Sequence, residues 1–234
     1  MSDEQKSGAA NTALHDFLSK LDVDAMGIVS LDAWKGTRLD ESALKLLPQA
    51  RSVVVFAMEI CPEVLDLTSP GRIMGAPSLN EYYTSDGDYV NGRLNKTAHD
   101  AARASRKMGY KAFALPARGY PVDSRFLETV LSYKHAAQAA GMGKMGWQSL
   151  LITPWFGPRV RLSACLTESV LEPTAIDTTL ECDGCGICVE NCPVGALSVP
   201  QDGNLYAINK YACAAFRNNS GGCVECMRLC PLGR

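Results

Sequence analysis

No stretch of this 234-residue sequence approaches the roughly 18 consecutive apolar residues of a membrane-spanning helix. The opening MSDEQKSGAANTALHDFL is polar and acidic. It lacks a basic leader, an apolar h-region and a twin arginine, so a cytoplasmic protein with no membrane partner is expected. Excess charge is also missing. Twenty-five acidic residues against 23 basic ones leave a net charge of −2, with no global positive field to attract nucleic acid or an anionic membrane. Basic patches are local: Arg103, Arg106 and Lys107, and Arg159 with Arg161. There is no Walker A phosphate loop, because Lys144 is misplaced for one. The length suffices for one sizeable core, or for one core with a small appendage.

Strand-like and helix-like segments alternate through most of the chain. Residues 1–10 read as a disordered lead-in. Leu14, Phe17, Leu18 and Leu21 then fall at helical spacing, and DAMGIVSL reads as a strand. A helix is expected from Asp40 to Leu47, followed by the buried strand RSVVVFAMEI. Residues 61–80 are rich in proline, glycine and serine and read as a loop. A helix over Asp88–Met108 leads to the strand GYKAFALPA, the loop RGYPVD and a helix over Ser124–Ala140. SLLITP and RVRLSACLT read as strands. The alternation argues for an α/β or α+β fold over residues 11–175, ahead of a small loop-rich metal domain over 176–234.

Eight of the ten cysteines fall between Cys182 and Cys230. Clustered cysteines in a cytosolic protein are metal ligands more often than disulfides. Cys182, Cys185, Cys188 and Cys192-Pro193 form C-x2-C-x2-C-x3-C-P without deviation. Three closely spaced thiolates can approach a cubic cluster from three sides, while the fourth points to a second cluster. Cys223, Cys226 and Cys230-Pro231 form a second run one cysteine short, and Cys213 can supply the missing ligand. The division expected of two-cluster ferredoxins gives Cys182, Cys185, Cys188 and Cys230 to one 4Fe–4S cluster. Cys192, Cys213, Cys223 and Cys226 go to the other. Two zinc sites would also need eight ligands, but the third cysteine and the Cys-Pro ending suit a cluster better. Cys61 and Cys165 read as buried structural thiols.

Gly141, Gly143 and Gly146 match G-x-G-x-x-G, but a helix precedes them and a strand follows, the reverse of a dinucleotide fingerprint. They read as a glycine-rich helix exit whose backbone can closely approach a large planar cofactor. Asp123 reads as a helix N-cap or as a proton donor, and the second role needs burial to raise its pKa. Tyr120 is a second candidate donor. Arg159 and Arg161 read as ligands of carboxamide or phosphate groups, or as ordinary surface charge.

The run from Lys134-His135 through Gly141, Gly143, Gly146 and Ser149 to Pro154, then Phe156-Gly157-Pro158-Arg159-Val160-Arg161, resembles epoxyqueuosine reductase and the core of reductive dehalogenases. Asp24-Ala25-Met26-Gly27, Leu47-Pro48 and the C-terminal cysteines fit the same pattern. The resemblance extends over about residues 14–234. It implies a nitroreductase-like domain holding base-off cobalamin, followed by a ferredoxin-like double-cluster domain, working in anaerobic reductive chemistry. Lys134, His135, Gly141, Gly143, Gly146, Ser149, Arg159 and Arg161 would touch the corrinoid. Asp123 would donate the proton, with Tyr120 beside it in the same role. No histidine would ligate the cobalt, and none here lies in a D-x-H-x-x-G sequence. A ferredoxin or flavodoxin-type donor would supply electrons. The helical repeats that help typical epoxyqueuosine reductases hold tRNA do not follow Arg234, which counts against tRNA as substrate. A small molecule, or a partner corrinoid protein, is expected instead. The second reading is a low-potential electron carrier or reductive activator with no substrate of its own.

Overall fold

The structure is a computed structural model that describes residues 3–68, 77–118, 120–175, 181–201, 203–219 and 222–233. Its helices are α1 (Asp3–Leu18), α2 (Arg38–Leu46), α3 (Pro62–Leu67), α4 (Pro77–Lys107), α5 (Tyr133–Ala139), α6 (Ile187–Glu190), α7 (Lys210–Asn219) and α8 (Glu225–Arg228). Its strands are β1 (Ala25–Ser30), β2 (Ser52–Glu59), β3 (Ala112–Leu115), β4 (Val122–Asp123), β5 (Glu128–Thr129), β6 (Lys144–Met145), β7 (Leu151–Ile152), β8 (Val160–Thr167), β9 (Leu197–Ser198) and β10 (Ala207–Ile208).

The fold is mixed α and β, as expected, and the chain forms two compact units, each assembled from several stretches of sequence. One compact unit combines Met1–Met58, Asn91–Met142 and Leu162–Ile176, and the other combines Glu59–Val90, Gly143–Arg161 and Asp177–Arg234. The cysteine-rich segment therefore takes two earlier stretches of chain into its own unit. The boundary expected at 175/176 meets residues 176–180, which lie outside the described residues.

The first unit is built on a four-stranded sheet in the order β1-β2-β8-β3. β1 pairs antiparallel with β2, Ile28 opposite Val54, and β3 pairs antiparallel with β8, Ala114 opposite Cys165. Residues Ser52–Met58 of β2 are buried, which explains an unbroken run of β-branched and apolar residues without polar alternation. Leu94, Ala98, Ala101 and Ala102 form the buried stripe of α4. Their mostly small side chains let α4 lie close to the sheet. Ser163 Oγ donates to the Leu94 carbonyl at 3.1 Å, and the Ser105 and Thr167 hydroxyls meet at 2.5 Å.

Several local expectations are corrected. Helix α1 begins at Asp3, so residues 3–10 are helical rather than disordered. Of the apolar residues at helical spacing, Leu14 and Leu18 are buried and Phe17 is 38% exposed. Part of the 61–80 loop is helix α3, started by Pro62 at its first position, and α4 begins at Pro77. The rest of that loop, 69–76, lies outside the described residues. The helix expected over Ser124–Ala140 shrinks to α5. Before it, β4 and β5 pair as a small ribbon, Val122 opposite Thr129. Asp123 Oδ1 accepts the Arg125 backbone N–H at 2.9 Å, which closes a turn instead of capping a helix.

The second unit has a small core of Ile60, Leu65 and Val224, against which Tyr83 and Met227 pack. The β6–β7 hairpin sets Lys144 opposite Ile152, and β9 pairs with β10.

Candidate functional site

Within the second unit, the first cysteine run winds through two left-handed glycines, Gly184 (φ 72°) and Gly186 (φ 77°). Left-handed backbone turns the chain tightly enough to aim neighbouring thiols inward, at a conformation glycine adopts without steric cost. A Cβ on Gly184 would also lie 2.7 Å from the Trp147 ring. Asp183 Oδ1 fixes the loop by accepting the Cys185 N–H at 3.1 Å. The short helix α6 then presents Cys188, and the Ala196 N–H donates to Cys192 Sγ at 3.2 Å.

Cys182, Cys185, Cys188 and Cys230 line one small hollow, together with Trp147, Gln148 and Leu232. Burial pushes the Cys188 thiol up to about 11, with further contributions from Cys182, Cys185 and Cys230. Burial likewise pushes Cys226 up to about 12, with Cys223 and Cys213 the largest of its thiol neighbours. Cys223 is raised by burial, and also by Cys213 and Cys192. The Cys226 thiol also feels Cys188 and Cys192. Burial of bare thiols opposes the thiolate form, and bound iron supplies the positive charge that offsets it. Among the described residues, no three thiol, imidazole or carboxylate groups meet closely enough to hold a single metal ion. The donor set and the hollow it surrounds fit a cluster, which spreads its ligands over the corners of a cube.

Cys165 is buried at 1% exposure, as expected. Cys61 is half-buried and donates from Sγ to Glu63 Oε2 at 3.1 Å, so it is not the core thiol expected.

The residues expected to contact a corrinoid fall in both units. In the second, the conformation of Gly143 (φ 152°) and its close approach to the Ile152 carbonyl serve the β6–β7 hairpin. Gly146 leaves room for the side chains of Gln148 and Ile152. Ser149 is buried in a left-handed conformation (φ 66°) within the same turn. Arg159 is neither a surface charge nor an outward-facing ligand. It is 2% exposed, and its guanidinium donates to the carbonyls of Cys230 (3.2 Å), Leu232 (2.7 Å) and Met227 (3.4 Å). Arg161 donates to Tyr83 Oη at 3.1 Å and lies over the Tyr83 ring, while its buried Nε has no hydrogen-bond partner among the described residues.

In the first unit, Gly141 ends α5 in the left-handed region (φ 76°). Burial lowers Lys134 to about 8. His135 Nδ1 lies 2.7 Å from Ser132 Oγ, and burial, then Lys134 and Arg38, lower its pKa and favour the neutral ring. Tyr120 Oη accepts the Leu131 N–H at 3.1 Å, its ring lies 5.2 Å from that of Tyr133, and burial raises its pKa. Asp123 lacks the burial a proton donor needs. The Arg125 guanidinium grips both of its carboxylate oxygens and holds its pKa below the usual range.

Sequence reasoning missed Trp147 and Gln148. Their position beside Gly146, in a segment already singled out, was the available signal.

Residues 178–198 match the 4Fe-4S binding domain family model. The chain is 27% identical over 204 residues to epoxyqueuosine reductase of Bacillus subtilis, a match that includes 81% of this chain and 49% of that protein. It is 30% identical over 200 residues to a tetrachloroethene reductive dehalogenase of Dehalobacter restrictus, with 77% of this chain and 32% of that protein matched. The chain therefore spans half or less of the length of these curated relatives. Among solved structures, a catabolic reductive dehalogenase superposes with a TM-score of 0.72 at 20% identity, over 95% of this chain and 31% of that one. An epoxyqueuosine reductase with a modified tRNA stem loop gives a TM-score of 0.55 at 21% identity, over 97% and 66%. The homologues of this chain are epoxyqueuosine reductases and reductive dehalogenases, and it carries a 4Fe-4S binding domain.

Proposed function

We propose that this protein is an iron–sulfur oxidoreductase in which two 4Fe–4S clusters relay low-potential electrons to a cobalamin for reduction of a small substrate. The observation that carries the cluster part is the single cavity lined by Cys182, Cys185, Cys188 and Cys230, two distant parts of the sequence brought to one hollow. Cys192, Cys213, Cys223 and Cys226 would hold the second cluster. The protein's own contribution is to exclude water from Cys188 and Cys230, both buried, and to fix the thiols in place before iron binds. A ferredoxin or flavodoxin-type carrier would supply the electrons.

A corrinoid, when bound, supplies a cobalt centre able to act as a strong reductant and nucleophile. Lys134, His135 and Gly141 in the first unit would hold it. Gly143, Gly146 and Arg159 fit that role less well, because each is engaged within its own unit. That engagement favours a second reading, a low-potential electron carrier or reductive activator of a partner corrinoid protein. A solved relative holds a modified tRNA stem loop, but the −2 net charge of this chain gives no general attraction for RNA. For Asp123 to deliver a proton, it would have to leave Arg125 and gain the burial that raises a carboxyl pKa.

Cobalamin titration of the anaerobically purified chain separates the two readings. Bound cobalamin with a base-off visible spectrum supports the enzyme. Clusters with no cobalamin retained on gel filtration supports the carrier.

A further inference from the structure

Two side chains from the 146–159 segment reach the limb that carries Cys230. Gln148 is 3% exposed, and its Nε2 lies 3.8 Å from Cys230 Sγ. A side chain at Gly146 would take the space of the Gln148 amide oxygen, so that glycine permits the amide to turn toward the sulfur. The Arg159 guanidinium, 2% exposed, binds the Cys230 carbonyl and the Leu232 carbonyl just beyond it. Gly157 and Gly233 let the two backbones interlock there, since a Cβ on either would strike the opposite strand of chain.

We propose that Gln148 and Arg159 are positioning residues that raise the reduction potential of the cluster held by Cys182, Cys185, Cys188 and Cys230. The proposal rests on the cluster assignment given above. Reduction adds one electron from a one-electron donor, breaks no bond, and makes the cluster and its thiolates one charge more negative. An N–H aimed at a ligand sulfur stabilises that added charge, and so does a guanidinium held out of water. Arginine keeps its charge at every working pH, so its effect is a fixed field.

The test is a redox titration, followed by electron paramagnetic resonance, of the full chain reconstituted without oxygen. Gln148→Leu and Arg159→Gln are each expected to lower the equilibrium constant for one-electron reduction of one cluster about tenfold, or about 59 mV. The affected signal should be the one that survives in Cys213→Ala and disappears in Cys185→Ala. Gln148→Glu, which swaps the donor for a charge, should shift further in the same direction. Arg159→Lys, which keeps the charge, should remain near the parent value, a rescue that a purely structural role would not produce. Should Arg159→Gln fail to assemble, the Gln148 pair decides. Iron-replete variants that titrate like the parent overturn the proposal, as does an equal shift of both clusters. Zinc in the parent protein overturns the cluster reading first and this proposal with it.

Discussion

Burial strips water from the Lys134 amine and moves its pKa from 10.5 to about 8. The sign of the linkage follows. Between these values the unfolded chain binds a proton that the folded chain releases, so stability rises with pH through that window. Below pH 8 both forms are charged and the folded state carries the cost of the buried charge. Lys134→Met should therefore be more stable than the parent at pH 7, by about 1–2 kcal/mol after discounting for partial exposure. The gap should close by pH 10.5. Paired denaturant titrations cancel the background of other groups, and a pH-independent gap would rule the account out. Asp123 offers a second measurement at this scale. Removing its guanidinium partner in Arg125→Ala should raise the Asp123 carboxyl toward its ordinary value of 3.8, because Arg125 is the first cause of its depression. A carbon-detected carboxylate titration reads this directly. Sequence could place Asp123 in a loop before a helix, but not foresee that a residue two positions on would neutralise it.

Element by element, the sequence was most legible where a segment is buried on all sides. Strand β2 was foreseen because seven successive buried positions leave no place for a polar residue. The ribbon β4–β5 was not, because exposed Val122, Phe126 and Val130 mimic the apolar spacing of a helix without facing a core. Close backbone approaches were equally hidden. Gly27 in β1 faces Ala140 and Met142, and a Cβ there would lie 2.6 Å from Met142 Cγ. Gly27→Val should therefore destabilise the first unit by about 1–3 kcal/mol through overpacking. A companion Met142→Ala change should recover part of that loss by making room. Thermal unfolding of the single and double variants tests the coupling, and strict additivity would mean the two residues do not share that space.

At the scale of the whole molecule, the 4Fe-4S binding domain was readable because the spacing of Cys182, Cys185, Cys188 and Cys192 is a cluster-binding pattern independent of the fold around it. The composition of the unit that holds them was not readable, since residues 59–90 and 143–161 join it through contacts far apart in sequence. Only the folded chain reveals that Trp147 and Gln148 line the hollow of the first thiol group. The two groups make a sharp prediction about metal content. The intact chain should bind about eight iron and about eight sulfide, four of each per cluster. Cys185→Ala removes a ligand from one group and leaves the second complete, so it should keep about half of both. Cys213→Ala should do the same through the other group. Cys61→Ala should lose none, because that thiol is paired with Glu63 and lines neither group. Iron and labile sulfide assays on anaerobically purified variants distinguish the outcomes. Full iron in Cys185→Ala would remove that residue from the ligands. Complete loss in both single variants would mean that the clusters assemble only together, coupled through the neighbouring Cys226 and Cys188.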